Sequence, residues 1–441
     1  MTDTPDAFLW VQLGGLALAL GFLFFAFRAR AKKYLIDNLP TSKVEGVFIG
    51  LVELEGTAET ESPFTSHLAE LPCVLYHWKV EENWRRVETE TYTDKDGKSR
   101  SRTRTRSGWT TVASGGEERP FYLKDETGVI RIDPARATQH TERLFYQECG
   151  RTHPLYYGKG PAMGIANSTH RRRFNEQAIP LHHPVYVVGK ARERSDIVAP
   201  EIVHDPDAPL FIVSTKPQKA VSRGYALQYW GLGFLAAVAV YGANLYLWHE
   251  DPDPFLKALQ TAWPWLIGVG IAGGFGWVWM IYNSLIDLRQ RVRRGWSLID
   301  IELKRRADLI PKIVKVVEGY RSHEKEVQET VAQLRTQAAA TEPGTLGPDP
   351  QGCLGAVRAL AESYPELKAD GPFLELQKTL SQTEQRIALA RSYFNDITTN
   401  FNTRLEVFPE SLVAKLGRFE GHPLVAAEDF ERAVVKVDLA P

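Results

Sequence analysis

The chain reads as a multi-domain membrane protein with three transmembrane helices, an all-β, barrel-like domain and an α-helical antiparallel bundle. Three observations predict this. Three apolar runs of roughly the ~20 residues that a bilayer core requires, each with a basic flank, punctuate the 441 residues. Between the first two runs, apolar residues recur with period two, the spacing of strands. After the third run they recur in alternating four- and three-residue steps, the spacing of a helical seam.

The first span is expected over 8–27, interrupted only by Gln12 and glycines, and Arg28, Arg30, Lys32 and Lys33 follow at once. The second, 226–248, is preceded by Lys216, Lys219 and Arg223; the third, 263–286, is followed by Arg289, Arg291, Arg293 and Arg294. The short connection between them holds Glu250, Asp251 and Asp253, with Lys257 as its only basic residue. Tyr229, Trp230, Tyr246, Trp248, Trp263 and Trp265 stand near the span ends, where interfacial aromatics belong. Positive flanks mark the cytoplasmic face. The expected arrangement is a multi-pass cell (inner) membrane protein, N-terminus outside, with both folded domains cytoplasmic. Asp3 and Asp6 replace the positive region of a cleaved signal peptide, so none is expected.

Composition excludes little else. A net charge of -1 gives no excess for nucleic acid. Cys73, Cys149 and Cys353 are too few and too scattered for a disulfide framework or a four-ligand zinc site, and are expected to be reduced structural thiols.

Over 44–217, strands are expected at 47–54, 73–80, 129–132, 185–189 and 209–213. Around Lys95-Asp96-Gly97 a three-residue hairpin loop would put Gly97 in the left-handed position such loops need. That register sets Glu90 opposite Arg102, Glu88 opposite Arg104 and Tyr92 opposite Arg100. Facing unlike charges contribute about 0.2–1 kcal/mol per pair, so charge and turn chemistry agree. The result is a polar arm, 84–109, carrying Arg100, Arg102, Arg104 and Arg106 on one face. Most of that charge is expected to be answered by glutamates, with lipid headgroups, a protein partner or nucleic acid as alternatives, nucleic acid the least supported.

The motifs Val44-Glu45-Gly46, Leu71-Pro72-Cys73-Val74-Leu75-Tyr76-His77-Trp78, Pro120 to Gly128 with Ile132-Asp133-Pro134, and Pro184 to Gly189 resemble the GIDE (BAM) domain. That domain lies between two membrane spans of mitochondrial RING-type ubiquitin ligases. The resemblance implies a shared membrane-side module. Ligase activity is not implied, because the Cys and His zinc ligands of a RING are missing after the second span, where the only cysteine is Cys353.

From Leu285 a heptad seam runs through Val292, Trp296, Ile299, Leu303, Ile310, Ile313, Val317, Tyr320, Val327, Val331 and Leu334, interrupted by Arg306 and Glu324. A helix of that length would rise about 75 Å, with Pro311 expected to kink it. A break at 341–352 and a short helix over 354–364 are expected next. A second seam uses Phe373, Leu376, Leu380, Ile387, Phe394, Ile397, Phe401, Leu405 and Phe408. Tyr282-Asn283-Ser284-Leu285, Leu303 to Pro311, Glu362 to Lys368, Phe373 to Gln377, Glu384-Gln385-Arg386-Ile387, Arg391 to Asp396 and Phe408-Pro409 resemble the LemA family across 280–410, leaving 411–441 as an extension. Gly295, Lys312 and Phe394 depart from its usual pattern. LemA-like proteins are membrane-anchored helical bundles, and the resemblance implies no reaction.

Chemistry has few candidates. His323-Glu324 lacks the second histidine of a zinc-protease helix, since Val327 stands there. Arg306, Asp308, Glu324, Glu384, Arg386 and Arg391 lie on or beside apolar seams, where charges are costly unless paired. A charged layer fixing helix register is expected, with a polar ligand site as the alternative. His182, His183, Asp125 and Asp133 stand beside strands without evident partners. The expectation is a non-catalytic interaction or scaffold protein in envelope stress or membrane-associated assembly, without cofactor or metal, whose partners are the bilayer and proteins or further copies. The alternatives are a membrane-associated enzyme related through its GIDE domain to ubiquitin ligases, and anionic-lipid or nucleic-acid binding through the arginine arm.

Overall fold

The computed structural model describes residues 5–93, 99–194, 196–197, 199–319 and 371–425. The chain divides into two compact units, Met1–Thr41 with Ser222–Pro441, and Ser42–Val221. Its helices are α1 (Pro5–Asp37), α2 (Pro154–Gly158), α3 (Gln218–Leu247), α4 (Pro254–Gly319), α5 (Gly371–Glu406) and α6 (Glu410–Leu416). Its strands are β1 (Thr41–Ser42), β2 (Gly50–Glu59), β3 (Phe64–Thr65), β4 (Pro72–Thr93), β5 (Ser99–Glu118), β6 (Phe121–Lys124), β7 (Val129–Ile132), β8 (Thr138–His140), β9 (Glu142–Gly150), β10 (Ser168–Pro180), β11 (Pro184–Glu193), β12 (Pro200–Ile202) and β13 (Ile212–Ser214).

In the helical unit, α1, α3 and α4 are each long and apolar enough to cross a membrane. Their contact is built on small residues. A Cβ on Gly15 would come within 2.6 Å of Ala243, and one on Gly276 within 2.5 Å of the Phe27 ring. Glycine at such positions lets helices approach closely where the solvent is lipid and apolar burial gives no drive. Gln12 donates to Asn244 Oδ1 at 2.8 Å, so these two polar side chains satisfy each other between α1 and α3.

Helix α4 continues for 66 residues without a break. Beyond its apolar part, Leu288 and the seam residues Val292, Ile299 and Leu303 pack against Ile387, Phe394, Ile397 and Phe401, which lie on the seam of α5. Gly295 sits under Phe394, where an added Cβ would lie 3.4 Å from the ring. At the foot of the bundle Arg404 donates to Glu410 at 2.6 Å and to Ser284 Oγ at 2.7 Å. Tyr34 of α1 donates to the other Glu410 oxygen at 2.9 Å. One guanidinium thus joins α4, α5 and α6, and its carboxylate partner reaches α1.

The β unit contains a closed ring. β2 pairs with β6, β6 with β7, β7 with β12, β12 with β11, and β11 back with β2 over Pro184–Ala191 and Gly50–Thr57. The period-two residues point inward: Val52 and Leu54, Phe121 and Leu123, Ile130 and Ile132, Val185 and Val187, all buried in one core. Gly189 has no space for a side chain, because a Cβ would meet Ile202 at 2.5 Å. β13 and β8 extend the sheet from β11. The second sheet is β5–β4–β10–β9, with β3 also on β4. Two expected strands shift. The run from Val47 pairs only from Gly50 after a 3-10 turn at Val44–Gly46, and the run from Pro209 becomes strand only at Ile212–Ser214.

Candidate functional site

Four places in the molecule could carry function. The first is the arm of β4 and β5. Its register sets Glu88 opposite Arg104, Glu90 opposite Arg102 and Tyr92 opposite Arg100, while Arg86 faces Arg106. The ion pairs do not run straight across. The Glu88 carboxylate lies 3.4 Å from Arg86 and 3.5 Å from Arg106, so it bridges the two arginines that face each other. Like charges directly opposite are unfavourable, which is why the shared carboxylate goes there. Arg102, Arg104 and Arg106 are exposed. The turn at Lys95-Asp96-Gly97 lies outside the described residues.

The second is the charged layer of the bundle. Arg306 and Glu384, both largely buried, are 3.6 Å apart between α4 and α5. Arg386 reaches Glu302 at 3.8 Å, and Arg305 reaches the same residue at 3.9 Å. Asp308 is exposed, and Arg391 half-buried. Among the described residues, Glu302 is thus a further carboxylate of the layer. It stands one turn before Arg306, a signal the sequence holds but which looks like any other surface i,i+4 pair. Glu324, His323 and the helix expected over 354–364 lie outside the described residues, as does Cys353.

The third is a buried polar network of the β unit. Arg172 on β10 and Glu82 on β4 are both fully buried. The Arg172 Nε and Nη2 donate to Glu82 Oε2 at 3.1 and 3.0 Å. Its Nη1 donates to the carbonyls of Tyr156 and Pro161 at 2.8 and 2.7 Å, and Nη2 also reaches Met163 at 3.1 Å. All five guanidinium donors are used. Tyr156 and Ser168 donate to the other Glu82 oxygen. Burial opposes the Glu82 charge, yet hydrogen bonds from Ser168, Arg172 and Tyr156 outweigh it and hold the carboxyl below its ordinary value. The network ties the loop after β9, including α2, to the sheet. It is closed and complete, and it offers no free group to a ligand.

The fourth is an open apolar groove of about 680 Å³ on the bundle, lined by Val292, Arg293, Trp296, Phe394, Pro423 and Leu424. Trp296, placed on the α4 seam by its spacing, is 40% exposed there.

The remaining titratable residues serve turns and sheet edges. Burial opposes ionisation of Asp125, but N–H donors of Val44, Thr127 and Gly128 and the Thr127 hydroxyl hold its carboxyl below the usual range. Asp133 accepts from the Ala135 N–H. His182 lies 2.6 Å from Glu59, and His183 3.6 Å from Glu142. Cys73 and Cys149 are free and buried. Burial pushes the Cys73 thiol up to about 11, so it stays protonated and unreactive at neutral pH.

The LemA family model matches residues 295–439. The GIDE model, described as E3 ubiquitin ligase, matches residues 89–244. Protein LemA of Metamycoplasma hominis is 27% identical over 158 residues, which are 35% of this chain and 72% of that protein. A three-helix apolar scaffold, a β-barrel unit and a paired-helix bundle are thus accompanied by two sequence families in the same order, and the chain contains both a GIDE domain and a LemA domain.

Proposed function

We propose that the chain is a membrane-anchored, non-catalytic scaffold of the LemA type, serving envelope stress responses or membrane-associated assembly. The observation that carries this is α4, which runs for 66 residues from an apolar span into the bundle seam. At about 1.5 Å per residue it rises about 99 Å, of which a bilayer core takes about 30 Å. A single helix therefore anchors the bundle and holds its open groove at a set height. The arginines after the first and third spans, against Glu250, Asp251 and Asp253 between the second and third, support a topology with the N-terminus outside and both domains cytoplasmic.

The GIDE match brings no ligase chemistry into this proposal, because the sequence after it holds one cysteine, Cys353. Affinity capture of the tagged full-length chain from native membranes tests the scaffold. A stable set of co-purifying proteins, or further copies, is expected. Recovery of the chain as a monomer without partners would overturn it. Labelling of single cysteines placed at 251 and 300 tests the topology, with only the former reached from outside.

A further inference from the structure

The last described segment runs back along α5, and two asparagines of that helix hold it by its backbone. Asn402 Nδ2 donates to the His422 carbonyl at 2.8 Å, and its Oδ1 accepts from the His422 N–H at 3.0 Å. Asn395 binds Val425 in the same way, with both bonds at 2.9 Å. Each carboxamide thus serves both polar groups of one residue, as a neighbouring strand would. The spacing explains why two fit. Asn395 and Asn402 stand two helical turns apart, about 10.5 Å, and His422 and Val425 stand about 9–10 Å apart in extended chain.

Side chains add a pattern with period three. Phe419, His422 and Val425 are half-buried, while Glu420, Gly421, Pro423 and Leu424 are exposed. Phe419 and Val425 pack on the bundle core. Phe419 meets the Tyr282 ring edge-on at 5.6 Å, and His422 lies 5.7 Å from Phe401. Gly421 passes so near Asn402 that a Cβ would stand 3.0 Å from its Oδ1. The segment is held as a bound peptide is held, by main-chain hydrogen bonds and a side-chain anchor at every third residue. It fills only part of the face, since the groove at Val292, Trp296 and Phe394 remains open beside Leu424, which is 52% exposed.

We infer that the α4–α5 face is a docking groove for an extended peptide, that residues 419–425 are its resident occupant, and that the same segment of a second copy is its ligand in trans. This deepens the scaffold reading and rests on it. The second copy is favoured because its segment is the one sequence known to match both the asparagine spacing and the anchors. Copies held by identical spans also present groove and segment at the same height above the bilayer. Exchange of an identical element is a low-cost route to association.

The test uses the purified full-length chain in detergent and a fluorescent peptide of residues 417–427, read by anisotropy. V425P removes the N–H that the resident segment gives Asn395 while leaving the groove. The peptide should bind V425P at least tenfold tighter than wild type, because a tethered competitor acts at an effective concentration of about millimolar. Adding N395A and N402A should abolish binding, and N-methylation at the Val425 position of the peptide should weaken it at least tenfold. Should V425P lose helicity by circular dichroism, a chain stopped after Arg418 replaces it. No saturable binding, or binding indifferent to both asparagines and to N-methylation, would overturn the groove. Co-capture of two differently tagged copies should fall at least threefold in N395A/N402A; unchanged co-capture would overturn exchange between copies. Loss of the scaffold reading would show in the native-membrane capture instead, which the peptide titration does not involve.

Discussion

Arg172 in the β unit and Arg306 in the bundle are both buried guanidiniums, and their surroundings differ in kind. Arg172 has its five donors on one carboxylate and three backbone carbonyls, all within 3.1 Å. Arg306 meets Glu384 across the helices at 3.6 Å, and each has further contacts. The source of acceptors explains the difference. The carbonyls of Pro161 and Met163 lie in the loop after α2 and that of Tyr156 in the last turn of this short helix, where carbonyls lack an intrahelical donor. Carbonyls inside a long helix, by contrast, are already bonded to the N–H four residues on. A charge between two helices must rely on side chains. A charge beneath a loop can fix the backbone itself.

That contrast can be broken by double substitutions. Arg172→Ala should cost about 3–5 kcal/mol, since it leaves Glu82 charged and buried. Urea unfolding of the full chain should report the loss, and proteolysis near Tyr157 should accelerate. Replacing both partners, Arg172→Met with Glu82→Leu, should fail to restore stability, because the carbonyls of Tyr156, Pro161 and Met163 stay without donors. In the bundle, Arg306→Met alone should cost about 1–3 kcal/mol. Arg306→Met with Glu384→Leu should return to within about 1 kcal/mol of wild type, as apolar replacement of an ion pair often does. Equal rescue at both sites would refute the distinction.

Acid sharpens it further. The Glu82 carboxyl lies below its ordinary value in the folded chain, so its contribution is complete above the unfolded glutamate value of about 4.3. It is lost as pH falls through the lower folded value. Unfolding followed from pH 6 downward should steepen below pH 4, and Glu82→Gln should flatten that limb. The smallest effect belongs to the arm. Glutamine at Arg102, Arg104 and Arg106 should change stability by less than about 0.5 kcal/mol, as exposed charges do. Unchanged capture of that variant on anionic vesicles would end the lipid reading of the arm.

Much of the fold was legible where it depends on neighbours along the chain. The spans show as apolar runs because a bilayer sets one length. The arm shows its register because Glu88, Glu90, Arg102 and Arg104 agree with the turn. The seams of α4 and α5 show as four- and three-residue steps, and the core residues Val292, Ile299, Ile387 and Ile397 fall on them. The candidate sites were less legible. Arg306 and Glu384 were marked by charge on an apolar seam, but Asp308 faces outward and Glu302 takes part in its place. Arg172 was invisible, since three of its acceptors are backbone carbonyls that carry no residue-type signal. Asn395 and Asn402 resemble solvated helix positions until the segment beside them is seen.

Gly295 and Phe394 mark the boundary between the two kinds of information. In sequence they are separate departures from the LemA pattern. In the bundle they face each other, Gly295 packed against the ring and backbone of Phe394. By itself the sequence determined what periodicity and solvent partition control: three spans, a β region, a heptad bundle and the charge asymmetry around them. Tertiary structure alone decided the closure of β2 on β11, the loop fastened by Arg172 and the tail fastened by Asn395 and Asn402. Those contacts join residues far apart in the chain through backbone groups that every residue possesses, so no local pattern can announce them.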